Sequence, residues 1–253
     1  MISPPPPPAG DPQCVHGIDG LRACLAEAHR FRSTVGRPFI VLSYAQSVDG
    51  SIAGRRRERV RFSGPESMQL TYAIRALCDT ILVGIGTLLA DDPRLAVQEP
   101  GRRSPQPVVL DTHLRTPVSS RLIERSDTRA WLVHGPEAPA DRLATLHRAG
   151  AEPVACSTGA DGRIDLPELA RRLATRSVDS IMVEGGARVI TNFIRHRLVD
   201  LFVITISPQL LGGLPVIDPT ETVETFGLHF TQAVFTPLGR DVVLWARPRW
   251  GQT

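Results

Sequence analysis

The stretch ILVGIGTLLADDPRL, residues 81–95, constrains the fold more than any other part of the chain. It begins with a continuous apolar run, Ile81 to Val83, which is typical of a strand buried on both faces of a parallel sheet. Gly84 and Gly86 follow, where the backbone can turn and approach a ligand closely. A second strand–glycine–helix pattern, IMVEGGARVITNF, begins a hundred residues later. Two such units predict an α/β protein that holds a phosphate-bearing group at helix N-termini.

The remaining patterns alternate between strand-like and helix-like segments until the last fifty residues, where two strand-like segments follow each other directly. This order predicts a mostly parallel central sheet flanked by helices, with a C-terminal antiparallel hairpin. Predicted strands cover 39–44, 80–83, 108–111, 130–133, 180–184 and 201–206, and the hairpin covers HFTQAVF and DVVLWA. Predicted helices cover 138–149, 187–197 and 166–176, the last behind an Asp165-x-x-Glu168 capping box. A further helix is predicted to open at a Ser63-Gly64-Pro65-Glu66 capping box and to run to about Leu77.

The N-terminal segment differs in composition from the rest. SPPPPPAGDP predicts an extended tail that cannot pack, and a single amphipathic helix is predicted from Ile18, Leu21, Leu25 and Ala28, which recur at helical spacing. The chain therefore divides into a proline-rich tail with one helix, residues 1–37, and a main domain, residues 38–253.

Composition excludes several classes of function. All 29 basic residues are arginine, so chemistry that needs a lysine amine, such as Schiff-base catalysis or a Walker phosphate loop, is excluded. The net charge of +3 is too small to indicate nucleic-acid binding. The four cysteines and seven histidines show no ligand spacing, so no metal site is predicted. With no signal peptide or membrane-length apolar run, a cytoplasmic protein without membrane contact is expected.

Several long motifs together resemble the riboflavin-pathway reductases with a dihydrofolate-reductase-like fold. The motifs are SYAQSVDG at 43–50, GIGTLLADDPRL at 84–95, VVLDT at 108–112, VEGGARVITNF at 183–193 and ISPQLLGG at 206–213. Their order and spacing match the family over about residues 38–247. The resemblance implies NADPH-dependent reduction of a ribosylamino-pyrimidine 5′-phosphate to the ribitylamino compound, by hydride transfer to C1′ of an imine form. It also implies a homodimer.

Many family members are fused to a zinc deaminase, whose signature is H-x-E with P-C-x-x-C. That signature is absent here, so no deamination is expected on this chain, and its layout is similar to that of the stand-alone reductases.

The family's cofactor contacts fall on strand ends and on the second glycine turn, where the free N–H groups of a helix N-terminus can bind a pyrophosphate. Strand carboxyl ends are also where ligands bind in open α/β sheets. The predicted NADPH-binding residues are Ala45, Thr87, Asp91, Thr112, Gly185, Gly186, Ala187, Arg188, Val189, Ile190, Thr191 and Asn192.

The family's substrate contacts fall on Ser63, Arg75, Leu95 and Glu184. Glu184 is also a candidate catalytic residue because it ends a buried strand, where an unpaired carboxylate is costly. A structural ion pair with an arginine is the alternative for Glu184. Asp49, in a tight S-x-D-G turn, is the second catalytic candidate, and stabilisation of that turn by its side chain explains it equally well.

The sequence departs from the family after Leu95, where Ala96 and Gln98 replace a polar residue and an arginine. The substrate phosphate contact then shifts to Arg94, Arg102 or the basic run that ends at Arg61; the other members of that run are Arg55, Arg56, Arg57 and Arg59. Two rival functions remain open: a related reductase of another imine or carbonyl substrate, and a non-catalytic nucleotide- or nucleic-acid-binding module with the arginine run as its contact surface.

Overall fold

A computed structural model describes residues 15–55, 60–97, 104–218 and 227–251. The proline-rich tail predicted at the N-terminus lies outside these residues. Within them, the helices are α1 (Gly17–Ala26), α2 (Ala28–Val35), α3 (Pro65–Leu77), α4 (Ile85–Asp91), α5 (Ala140–Arg148), α6 (Leu166–Thr175) and α7 (Ala187–Arg195).

The strands form one large sheet and one small one. They are β1 (Phe39–Ser47), β2 (Ser51–Ala53), β3 (Thr80–Gly84), β4 (Gln106–Leu110), β5 (Trp131–His134), β6 (Glu152–Ala155), β7 (Ser180–Val183), β8 (Leu201–Ser207), β9 (Leu214–Pro215), β10 (Leu228–Leu238) and β11 (Asp241–Trp250).

The large sheet has nine strands in the order β10-β11-β8-β1-β7-β3-β4-β5-β6. The seven strands from β8 to β6 in this order are parallel to one another, while β11 is antiparallel to both β8 and β10. The predicted mostly parallel sheet with a C-terminal antiparallel hairpin is therefore confirmed. The small sheet pairs β2 with β9 and was not predicted, because two- and three-residue strands carry no alternation to read.

Alternate residues of the central strands enter separate cores on the two faces of the sheet. Ile40 and Leu42 of β1 pack in the cluster that contains the apolar residues of α6 and α7. Phe39 and Val41 pack on the other face with Leu21 of α1 and residues of α2 and α3. Helices α4 and α5 cover the same face as α3, over β3, β4 and β5. This arrangement puts α3 and α7 on opposite faces of β1 and β7.

Two local predictions were wrong. The single N-terminal helix is broken at Glu27 into α1 and α2, and both helices contribute buried residues to the core beneath α3. Ser63 does not cap α3, because the N-cap residue is Gly64 and no side-chain cap bond is present there. The Asp165–Glu168 box is confirmed, since the Asp165 side chain accepts the Glu168 N–H. The boundary at residue 37 stays a prediction.

Strand β6 was not predicted, and the helix that became α4 was expected from the strand–glycine–helix pattern, but without bounds. Helix α4 begins directly after β3, where the glycines were expected to form a turn. Among the described residues, no helix is long and apolar enough to cross a membrane.

Candidate functional site

The carboxyl ends of the central strands form one edge of the large sheet. The strand register aligns Leu42 with Val183 and Val183 with Leu82, and it pairs Gly84 with Leu110. Residues that follow these positions therefore lie side by side at the same edge, and several predicted site residues are among them: Ala45, Thr112, Glu184, Gly185 and Gly186.

Gly84 and Gly185 are both required by the packing of Val189 in the first turn of α7. A Cβ atom at Gly84 would lie 2.7 Å from Cγ2 of Val189. A Cβ atom at Gly185 would lie 2.4 Å from Cβ of the same residue. At both positions only glycine leaves room for the Val189 side chain. Val189 therefore packs against the end of β3 at Gly84 and against the residue that follows β7 at Gly185.

Gly186 differs from these two glycines because the space beside it is open. It is the N-cap residue of α7, with φ −74° and ψ 176°, and a Cβ atom there would meet only the Thr87 hydroxyl, 3.7 Å away, among the described residues. The N–H groups of Ala187 and Arg188 begin the helix and have no acceptor within it. Together with the positive end of the helix dipole, this cradle fits a cofactor pyrophosphate.

Arg188 adds a charged side chain to the same turn. Its side chain is 62% exposed, and its Nε lies 3.2 Å from Oδ2 of the buried Asp218. An exposed guanidinium can reach an anionic ligand while one of its nitrogen atoms is held by Asp218.

The other predicted residues of α7 are mostly committed to the core. Ala187, Ile190 and Thr191 are buried, and the Thr191 hydroxyl accepts the Asp218 N–H at 2.8 Å. Asn192 is half-buried. Of the α7 residues predicted to bind NADPH, Ile190 and Thr191 therefore have side chains enclosed by the protein, and Val189 packs against the glycine turn.

Arg75 and Glu184 form a bidentate ion pair on the face of the sheet that α3 covers. Arg75 Nε donates to Glu184 Oε1 at 2.7 Å, and Nη2 donates to Oε2 at 2.5 Å. Both side chains are largely buried, and the guanidinium carbon lies 5.5 Å from the centre of the Tyr72 ring. Burial alone would lower the pKa of Arg75, but attraction and hydrogen bonding to Glu184 raise it above its ordinary value. Arg75 is thus a fixed cation at the edge of the sheet.

The Asp49 side chain binds the backbone of the loop at residues 211–212. Its carboxylate accepts hydrogen bonds from the Ser47 hydroxyl, the Ser51 hydroxyl at 3.1 Å, the Leu211 N–H at 3.1 Å and the Gly212 N–H at 2.6 Å. These bonds, first of all the one from Ser47, lower the pKa of Asp49 far below its usual range. A carboxylate that stays ionised cannot donate a proton near neutral pH, so the geometry favours the turn-stabilising alternative for Asp49.

The remaining predicted residues occupy different surroundings. Leu95 is only 3% exposed and packs in the core over β3, and its carbonyl accepts a bond from Arg125 at 3.0 Å. The Thr112 carbonyl accepts the Gly135 N–H at 3.0 Å, which ties the end of β4 to β5. Asp91 is the half-buried last residue of α4. Ser63 directly precedes the N-cap of α3.

The candidates for binding a substrate phosphate are only partly within the described residues. Arg56, Arg57 and Arg59 of the basic run lie outside them, as do Gln98 and Arg102. Arg55 donates to the Gly212 carbonyl at 2.7 Å, so it holds the same loop as Asp49. Arg94 is exposed.

Sequence reasoning did not single out one buried carboxylate at this edge of the sheet. Asp241, at the start of β11, accepts hydrogen bonds from Gly64 and Ser67 at the N-terminus of α3. The sequence carries no signal for it, because 177 residues separate Asp241 from Gly64.

Among the described residues, no group of three or more His, Cys, Asp or Glu side chains could hold a metal ion.

Comparison with known proteins gives a consistent result. The RibD C-terminal domain family model matches residues 38–244. A 2,5-diamino-6-ribosylamino-4(3H)-pyrimidinone 5′-phosphate reductase of Archaeoglobus fulgidus is 32% identical over 187 residues, covering 70% of this chain and 83% of that protein. The enzyme of the same name from Methanothermobacter thermautotrophicus is 36% identical over 182 residues, covering 70% of this chain and 81% of that protein.

Two solved structures share the fold. The riboflavin biosynthesis reductase Rib7 of Saccharomyces cerevisiae has a TM-score of 0.68 and 27% identity, covering 88% of this chain and 100% of that chain. RibD of Acinetobacter baumannii has a TM-score of 0.75 and 22% identity over 90% of this chain. The present chain spans 62% of the length of that RibD protein.

Proposed function

The chain belongs to the RibD C-terminal domain family, and from that premise we propose that it reduces a ribosylamino-pyrimidine 5′-phosphate to the ribitylamino compound with NADPH, in riboflavin biosynthesis. The names of its relatives support the substrate class, since they are pyrimidinone 5′-phosphate reductases. The observation that carries the proposal is the sequence Glu184-Gly185-Gly186 at the carboxyl end of β7. Three consecutive residues there join a carboxylate on the α3 face to the helix N-terminus on the α7 face.

This junction suits a reaction between two bound molecules. Gly186 and the first turn of α7 would hold the cofactor phosphates, with Thr87 beside them. Arg75 and Glu184 would bind and orient the substrate on the other side of the strand end. When bound, NADPH supplies a hydride to C1′ of the imine form of the substrate. The protein contributes binding and alignment, which by themselves can account for a large part of a rate enhancement.

We expect NADPH to be preferred over NADH. An arginine-rich chain can give the 2′-phosphate charge-assisted hydrogen bonds that NADH cannot form, and Arg188 is an exposed cation beside the proposed pyrophosphate site. Comparing kcat/KM for the two cofactors tests this, and equal values would contradict the preference.

A substrate panel tests the function directly. The purified protein is incubated with NADPH and the diamino form of the ribosylamino-pyrimidine phosphate, its deaminated form, or a pteridine imine, and oxidation is followed at the nicotinamide absorbance. Rapid oxidation with either pyrimidine supports the proposal and identifies the form used. Oxidation with the pteridine alone would instead identify a related reductase, and no oxidation with any compound would contradict catalysis.

The proposal includes a homodimer in the cytoplasm. The outer strand β10 exposes Phe230 and Phe235, and Val242 is exposed on the adjacent β11, which leaves an apolar sheet edge available for a second copy. Cys24, Cys78 and Cys156 are unpaired thiols, as expected in a reducing compartment. Light scattering that detects only a 27.6 kDa species at micromolar concentration would contradict the dimer.

A further inference from the structure

The start of α3 is held by a residue from the far end of the chain. The N-cap residue is Gly64, and no side chain among the described residues accepts the free N–H groups of the first turn. Oδ2 of Asp241 accepts the N–H of Gly64 itself at 2.7 Å and the Ser67 hydroxyl at 2.7 Å. The Asp241 side chain has no exposed surface, so these bonds form without competition from water.

The hairpin turn that carries Asp241 holds the same segment at two further points. Arg240 Nη2 donates to the Phe62 carbonyl at 2.9 Å, just before the helix. Gly239, at φ +60°, lies so close to the first turn of α3 that a Cβ atom there would be 2.3 Å from Oε2 of Glu66. The segment from 62 to 67 is therefore fixed against the β10–β11 turn on both sides of Gly64.

The register places this contact at the carboxyl edge of the large sheet. Val242 pairs with Ile206 near the end of β8, and Ile206 pairs with Gln46 near the end of β1. Asp241 therefore lies at the edge where the central strands end. Ser63 belongs to the segment that Asp241 fixes, and Arg75 lies further along the same helix.

We propose that Asp241 is a positioning residue for the pyrimidine phosphate substrate: it fixes the 62–67 segment, and with it Ser63 and the start of α3, without contacting the substrate itself. The proposal rests on the proposed function for the identity of the substrate. It predicts that Asp241 affects substrate binding while leaving the cofactor cradle on the opposite face of the sheet unchanged.

The test compares two isosteric variants, Asp241→Asn and Asp200→Asn. Asp200 is the matched control because it is also a well-buried carboxylate that accepts a strand N–H, from Ile40 at 2.8 Å, but at the opposite end of the sheet. We expect Asp241→Asn to raise the KM for the pyrimidine phosphate about tenfold, with the KM for NADPH changed by less than about twofold. Asp200→Asn should lower Tm and leave both KM values unchanged.

Hydrogen exchange gives a second measurement that does not depend on activity. The Gly64 amide and the first turn of α3 should exchange faster in Asp241→Asn than in the unsubstituted protein. If Asp241→Asn fails to fold, Ser67→Ala replaces it, because that variant keeps the Gly64 bond and should raise the substrate KM only about two- to threefold.

An unchanged substrate KM in Asp241→Asn, together with a lower Tm, would overturn the positioning role and leave a purely structural one. An unchanged exchange rate at Gly64 would overturn it independently of any assay. Absence of turnover in the unsubstituted protein would contradict the proposed function instead, so the two failures are distinguishable.

Discussion

The two ends of the parallel strands carry different chemistry although they belong to one sheet. At the amino end, Arg37 forms two bonds of 2.6 and 2.9 Å with Asp200, and Arg32 pairs with Asp179 at 2.5 Å. Asp79 accepts the N–H groups of Asp179 and Ser180, both at 2.9 Å. Each of these carboxylates thus has a partner inside the protein.

The carboxyl end is built from glycine turns and a helix N-terminus. Gly185 and Gly186 present backbone rather than side chains, and Arg188 extends into solvent. Among the described residues on this side, Arg75 and Glu184 form an ion pair with two hydrogen bonds. The amino end is thus closed by paired side chains, whereas the carboxyl end exposes the first turn of α7 and Arg188, where the proposed cofactor would bind. Substitutions at the amino end should therefore act mainly on stability, and substitutions at the carboxyl end mainly on ligand binding and turnover.

Asp200→Ala at the amino end should cause the largest loss of stability. It removes one member of a largely buried pair and leaves Arg37, whose side chain is 17% exposed, without its partner. We expect the free energy of unfolding to fall by about 3 kcal/mol, the lower part of the range for such pairs. Urea denaturation measures this. The kcat/KM of the folded protein should not change, and a large kinetic defect would break the distinction between the two ends.

Glu184→Gln at the carboxyl end should affect turnover more than NADPH affinity. The amide keeps the volume but removes the charge and turns one acceptor into a donor facing Arg75. We expect a loss in kcat/KM of about 1.5–3 kcal/mol. If the pair is only structural, the variant will instead lose thermal stability and keep near-normal kinetics. Measuring Tm and kcat/KM on one preparation separates these results.

Gly185→Ala should destabilise the protein by about 2 kcal/mol, because the added methyl group overlaps Val189. Val189→Gly removes the Cβ and both methyl groups that overlap, so the double variant should be more stable than the sum of the single effects predicts. A double-mutant cycle in urea measures this coupling. Strict additivity would show that Gly185 is needed for a reason other than Val189.

Gly186→Val should weaken NADPH binding about tenfold or more while the fold stays intact. The neighbouring space is open in the protein itself, with the Thr87 hydroxyl 3.7 Å away, so the added side chain would obstruct a ligand rather than the core. Fluorescence titration with NADPH measures the affinity, and Gly185→Ala serves as the comparison. Unchanged affinity in a folded Gly186→Val protein would remove this turn from the cofactor site.

The smallest effect concerns pH. Because hydrogen bonds lower the pKa of Asp49 in the folded protein, its contribution is complete above the ordinary carboxyl pKa of about 4 and is lost only as the pH falls through the lower folded value. The amide chemical shifts of Leu211 and Gly212 should therefore stay constant from neutral pH down to about pH 4. Asp49→Asn should alter these shifts at every pH. A transition between pH 5 and 7 in the unsubstituted protein would contradict the assignment.

Much of the fold could be predicted from sequence because its signals are local. The apolar run Ile81–Val83 and the glycine turn at Gly185 indicated β3, β7 and the helices that follow them. The spacing of Asp165 and Glu168 indicated the N-cap of α6. The break at Glu27 was not predicted, since the apolar residues on both sides keep helical spacing across it.

The family resemblance named the residues of the candidate site one by one but did not give their contacts. It pointed to Gly186, Arg75 and Glu184 separately, and nothing in the sequence pairs Arg75 with Glu184, which are 109 residues apart. Leu95, Ile190 and Thr191 belong to the same motifs, and only the packing shows that their side chains are buried.

The alternation of strands and helices and the two glycine turns could be recognised from the amino acids alone, because periodicity and turn chemistry act over a few residues, and the long motifs indicated the family. Which polar groups meet depends on the folded chain: Arg75 with Glu184, Asp49 with the 211–212 backbone, and Asp241 with the N-terminus of α3. Such pairs form because strand order and register bring distant residues to one sheet edge. A carboxylate buried there is stable only where the fold supplies its donors.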